Sequence, residues 1–360
     1  MMHLFRRMSL VAGVVFVWGI GLGAQTQPIM PSLPTGEGEM TEGLDEVISN
    51  GLATLAGMQN DDGSFGGGQY GRNVAITALA CLAFMSDGNL PGRGPYGPIV
   101  ERGLRWMLEQ QTETGLYAAQ SSHGPMYGHG FATLFVGEVY GMSGTLDEEL
   151  SSRVHDSLIR ANRLIVRSQN DQGGWRYQPL PEDADVSVTI CQVMALRSIR
   201  NAGIEVPKET IDKAVEYVRA CQNADGGFSY QLPRNAAYQR GSSSWPRSAA
   251  GVAALLYAGI YEDEAIDEGI KYLQATALPG SGVTAHQHYY FYGHYYAAQA
   301  HFHAGQEAWD IWWPAIRNEL IDRQQPDGSW NSSSVGQAYG TAMALIILQM
   351  PKRYLPIFQQ

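Results

Sequence analysis

Charge is scarce in this chain. Only 16 % of its 360 residues are charged, and the balance is acidic, with a formal net charge of −11. An acidic surface offers no footprint for a phosphate backbone, so a nucleic-acid partner is not expected. Cysteine is nearly absent. Cys81, Cys191 and Cys221 show no CxxC spacing, which argues against a disulfide framework or a thiolate zinc site and reads as buried free thiols. Apolar runs long enough to span a membrane are missing beyond the N-terminus. That end carries Arg6 and Arg7, an apolar stretch from Leu10 to Leu22, and the small-residue sequence Leu22-Gly23-Ala24. Residues 1–24 therefore read as a signal peptide for export to the periplasm or cell envelope, an uncleaved anchor being the alternative. Residues 25–41, with Pro28, Pro31 and Pro34, read as a flexible lead-in, and 42–360 as one domain.

What is abundant is glycine (42), tyrosine (19) and apolar residues (44 %), a composition that folds around a core. One pattern recurs: Gln, three residues, Gly, one residue, aromatic. It occurs as Gln59–Gly63–Phe65, Gln111–Gly115–Tyr117, Gln169–Gly173–Trp175, Gln222–Gly226–Phe228 and Gln324–Gly328–Trp330, with a degenerate sixth copy near Gln274. Each copy follows an amphipathic segment such as PIVERGLRWMLEQQ, whose apolar residues fall at helical spacing. Each precedes a nearly uncharged one such as NVAITALACLAFM, apolar all round. Six half-wet helices alternating with six fully buried ones predict an all-α fold, an α6/α6 toroid in which an outer ring wraps an inner ring. An open solenoid is the alternative.

These repeats resemble the QW repeats of squalene and hopene cyclases, and the α6/α6 repeat of protein prenyltransferase β-subunits, over about residues 43–350. The inner helices can be set in register with a polar residue at position 0: Asn73, His129, Asp185, Ser244, His294 and Gln337. Position +4 is usually a hydroxyl. Such residues cap helices, and Asp185, His129 and His294 can also titrate. In the cyclases this place carries Asp-x-Asp-Asp-Thr, whose middle acid protonates an alkene. Here the run is Asp185-Val186-Ser187-Val188-Thr189, and a serine cannot supply that proton. In the prenyltransferases the same register holds zinc through Asp-x-Cys and a His on the next inner helix. Here Ser187 replaces the Cys and Arg247 stands where the His is expected. The resemblance thus implies the fold without either chemistry, and no metal or cofactor is expected.

Three functions follow as expectations. The first is binding of an apolar, isoprenoid-like molecule or a peptide in a central cavity lined by Phe131, Ser187, Arg247, Tyr296 and Tyr339. The second is an enzyme of different chemistry using Asp185 with His129, His294 or Glu138, the last an acid inside an apolar helix. The third is an envelope protein that docks a protein partner. His123, His286, His288, His301 and His303 are further histidines of the chain, and the metal or acid–base reading falls on His129, His294 and Asp185, for which repeat inheritance of Tyr-Gly-His at 127–129 and 292–294 is the competing explanation.

Overall fold

The computed structural model describes residues 33–34, 39–67, 70–119, 124–142, 144, 146–233, 241–282 and 289–359. The signal-peptide segment and His123, His286 and His288 lie outside these residues. Among the described residues there are twelve α-helices and no strand. The amphipathic set is α1 (Glu42–Ala56), α3 (Gly97–Glu109), α5 (Glu148–Arg167), α7 (Lys208–Ala220), α9 (Glu264–Ala277) and α11 (Gln306–Arg323). The apolar set is α2 (Val74–Met85), α4 (Met126–Met142), α6 (Val186–Asn201), α8 (Trp245–Tyr257), α10 (Tyr290–His303) and α12 (Gln337–Leu348). The apolar helices pack in the order α2, α4, α6, α8, α10, α12, and α12 returns to α2, so the inner ring is closed. This is the predicted α/α toroid. No described helix is long and apolar enough to cross a membrane.

The repeated motif is the clasp between units. Each glutamine amide donates to the carbonyl of its own glycine and to a carbonyl on the next amphipathic helix of the ring. Gln59 reaches Ile99, Gln111 reaches Ser157, Gln169 reaches Thr210, Gln222 reaches Ala265, and Gln324 reaches Val47, all at 2.8–2.9 Å. The last bond joins the chain's final outer helix to its first. Gly173 shows why the glycine is needed. Its φ is +96°, and an added Cβ would lie 2.1 Å from the Lys213 carbonyl oxygen. The motif aromatic then turns inward. Phe65, Tyr117, Trp175, Phe228 and Trp330 are all buried. The backbone N–H of Phe65, Trp175, Phe228 and Trp330 donates to the hydroxyl of Thr77, Thr189, Ser248 and Thr341 respectively.

The degenerate copy lacks the clasp. There the Gly280 N–H donates to the Glu319 carboxylate on α11 at 2.6 Å, joining the same two outer helices by another bond.

Candidate functional site

The inner helices begin at one end of the barrel, and a cavity of about 520 Å³ opens there. Its floor comes from first turns: Tyr127 on α4, Ser187 on α6, Pro246 and Arg247 on α8, Tyr292 on α10 and Tyr339 on α12. Its walls come from the loops, through Tyr177, Tyr230, Ser244 and Tyr289. Tyr177 and Tyr230 each stand two residues after a motif aromatic. The carbonyl of Tyr177 accepts the Met126 N–H at 3.2 Å, and that of Tyr230 accepts the Val186 N–H at 3.0 Å, which ties each loop to the start of the neighbouring inner helix.

Side chains one turn below the floor close the axis. Phe131 on α4 packs edge-on against Tyr295 on α10, with ring centroids 6.1 Å apart. The Cys191 thiol on α6 lies 3.3 Å from the Tyr296 hydroxyl on α10. These helices are not neighbours in the ring, so contact between them means the barrel is filled there. Phe131 and Tyr296, predicted to line the cavity, instead form this plug, because they sit one helical turn further in than the floor residues. Ser187, Arg247 and Tyr339 do line the cavity.

Asp185 is the N-cap of α6 and is fully buried. Its Oδ1 accepts the Val188 N–H at 2.9 Å and its Oδ2 accepts the Tyr230 hydroxyl at 3.1 Å. Arg176 Nε lies 3.7 Å from Oδ2, while the same guanidinium pairs directly with Asp183. Burial pushes the Asp185 carboxyl up to about 6, against the pull of these donors. Tyr230 in turn bonds to the Tyr177 hydroxyl, so the carboxyl meets the cavity through two tyrosines and not directly.

The register expected for His129 and His294 is off by one turn. The Tyr117 N–H donates to His129 Nδ1 at 3.2 Å, the bond that hydroxyls take in the other repeats, so His129 occupies position +4 and not position 0. His294 follows the same pattern, in Tyr292-Gly293-His294 beside Tyr127-Gly128-His129 and Tyr339-Gly340-Thr341. The glycines admit a neighbour: a Cβ on Gly128 would meet Val74, and one on Gly293 would meet Trp245. His294 is packed by the rings of Trp245, Tyr290 and Trp312. Burial pushes both imidazoles down to about 3, so both are neutral. Neither lines the cavity, and the expected grouping of Asp185, His129 and His294 is not assembled. Asn73 and Asp185 are side-chain caps, Ser244 stands at the N-cap of α8, and Gln337 bonds to Asp327 and Ser329.

Glu138 sits eleven residues after Tyr127 on α4, about 16 Å along the axis at 1.5 Å per residue. Far from the cavity, it accepts the Ser198 hydroxyl at 2.8 Å and the Ile357 N–H at 3.0 Å. It fastens the C-terminal segment across the opposite end of the barrel. His301 and His303 are buried in α10, and no group of three His, Cys, Asp or Glu among the described residues could hold a metal ion.

Sequence reasoning missed Tyr127, Tyr177, Tyr230 and Tyr289. The Tyr-Gly-His/Thr triplet, read three times, would have found Tyr127, and counting two residues beyond Trp175 and Phe228 would have found the next two.

The fold and this site define an α/α toroid with a tyrosine-lined mouth. Residues 136–312 match the family model of the squalene-hopene cyclase C-terminal domain, and that part of the chain is similar to it. No curated protein matches it by sequence. Among solved structures it is similar to an α-1,6-mannanase of Salegentibacter sp. HEL1_6, with TM-score 0.66 and 10 % identity over 86 % of this chain and 99 % of that one. It is also similar to a type II terpene cyclase of Scytonema in complex with geranylgeranyl dihydroxybenzoate, with TM-score 0.56 and 13 % identity over 88 % of this chain and 98 % of that one. A protein from Actinoplanes matches with TM-score 0.57 and 16 % identity over 86 % and 99 %.

Proposed function

We propose that the chain binds a small molecule with an apolar body in the mouth cavity and does not carry out proton-initiated cyclisation. The observation that carries this reading is the composition of the cavity. Six tyrosines among the described residues face it, its volume falls in the roughly 300–1,000 Å³ range of ligand pockets, and Ser187 stands where the resemblance would require a strong acid. Tyrosine rings offer flat apolar faces with a polar edge, which suits an isoprenoid-like or aromatic ligand with some polar groups. The Scytonema cyclase, whose ligand has a prenyl chain and a dihydroxybenzoate head, supports that ligand class. A peptide is disfavoured by the plug beneath the floor, which leaves a bowl and not a through-channel.

We also propose that the chain acts after export, on the strength of the basic and then apolar N-terminal sequence.

The test is mass spectrometry of organic extracts from folded, purified protein. The expected result is a stoichiometric small molecule in wild type that is absent from Ser187→Trp, whose indole would fill the floor. Extracts that are equally empty in both would sink the binding reading, and cyclised product from added squalene would sink the non-cyclising one.

A further inference from the structure

Among the described residues, Arg247 is the one charged side chain lining the cavity. Its Nη2 donates to the Ser242 carbonyl at 3.0 Å, and its guanidinium carbon lies 5.8 Å from the centre of the Tyr230 ring. Its Nε is shielded from solvent and has no hydrogen-bond partner among the described residues. The titratable groups that act on it most strongly are the phenols of Tyr230, Tyr272, Tyr289 and Tyr292, none of them a carboxylate. Burial pushes its pKa down, the mark of a cation short of compensation. Arg176, on the other loop against Tyr230, is the opposite case, because Asp183 and Asp185 flank it.

The chain has 35 acidic residues, yet among the described residues no carboxylate forms an ion pair with Arg247. A half-buried cation with an unused donor costs stability unless something pairs with it. The helices add to the field. The first turns of α4, α6, α8, α10 and α12 all meet this cavity, and the positive ends of their dipoles point into it. Asp185 offsets this only at α6, where it is already engaged by Tyr230 and Val188.

We propose that the cavity is selective for ligands carrying one oxyanion, a carboxylate, sulfonate or phosphate ester, which pairs with Arg247 while the apolar body lies on the tyrosines. This rests on the binding reading above and adds the charge of the ligand. Arg247 is then the group that sets specificity, and the residue that departs from the zinc-binding pattern has a role of its own.

Two fluorescent dyes with nearly the same apolar body test this on the full chain: anilinonaphthalene sulfonate, an anion, and phenylnaphthylamine, which is uncharged. We expect the anion to bind on the order of tenfold more tightly, with added salt weakening the anion alone. Arg247→Gln should remove that preference and leave the neutral dye bound, and Arg247→Lys should restore part of it. The salt comparison needs no variant, so it decides even where a substitution unfolds the chain. Equal affinity for the two dyes in wild type, unmoved by Arg247→Gln, overturns the proposal and leaves the binding reading standing. Anion binding that persists in both Arg247→Gln and Ser187→Trp also overturns it, since the dye is then elsewhere. If neither dye binds the folded wild type, the binding reading itself fails.

Discussion

The two ends of the barrel are built from the same twelve helices and treat polar groups in opposite ways. At the mouth, tyrosine hydroxyls and an arginine with no carboxylate partner among the described residues face a cavity. At the other end, Glu138, Ser198 and Arg197 are covered by the C-terminal segment, in which Leu355, Ile357 and Phe358 are each about 1 % exposed. Arg197 lies 3.5 Å from the Gln359 carbonyl at the same place. On the proposed reading, the closed end holds stability and the open end holds specificity. Substitutions should separate accordingly: closed-end variants shift unfolding, and mouth variants shift binding.

The largest effect should come from removing the cover. Ending the chain after Arg353 exposes the partners of three buried apolar side chains and strips Glu138 of a donor. At about 1.5–3 kcal/mol per large apolar side chain, the loss should be on the order of 5 kcal/mol in urea unfolding. A loss under about 1 kcal/mol would mean the segment is an ornament of the fold and the contrast between the ends is wrong.

Next is the pH dependence of the closed end. Burial pushes the Glu138 carboxyl up to about 7 from its ordinary 4.5. The folded state therefore holds a proton between about 4.5 and 7 that the unfolded state releases. Stability should fall as pH rises through that window and level off above it, by about 3 kcal/mol in total for a shift of this size. Glu138→Gln should flatten this part of the profile, which denaturant melts at several pH values would show. An unchanged slope would place the titrating group elsewhere.

The smallest effect belongs to the mouth. Asp185→Asn keeps an N-cap acceptor, so below about pH 4, where the acid is neutral in both states, the stability loss should be about 1 kcal/mol or less in thermal melts. The carboxyl is raised to about 6 from 3.8, so the variant should also lose a decline in stability between those pH values. A folded variant with greatly weakened ligand binding would instead make Asp185 part of the binding surface, and the division between the ends would need redrawing.

The toroid was legible in the sequence because it is written locally. Clasp glutamine, turn glycine and inward aromatic are within seven residues of one another, and helical periodicity marks the wet and dry faces without knowledge of neighbours. Residue types also settled what Ser187 cannot do, since a hydroxyl is not a strong acid in any surroundings. Direction and depth were not legible. His129 and Thr77 look unlike, yet both accept the N–H of a motif aromatic, and only that bond shows that they share a position. Glu138 and Tyr127 lie on one helix, yet they serve opposite ends. Tyr177 and Tyr230 come from loops that periodicity does not describe. The sequence alone determined the repeat and the missing acid at position 187, because each depends on short-range pattern or on intrinsic chemistry, whereas closure of the ring shows only in the packing of α12 on α2 and the bond from Gln324 to Val47. Tertiary structure alone decided which side chains share the cavity, because the groups that meet there come from five inner helices and three loops, and nothing within one segment records the neighbour it faces.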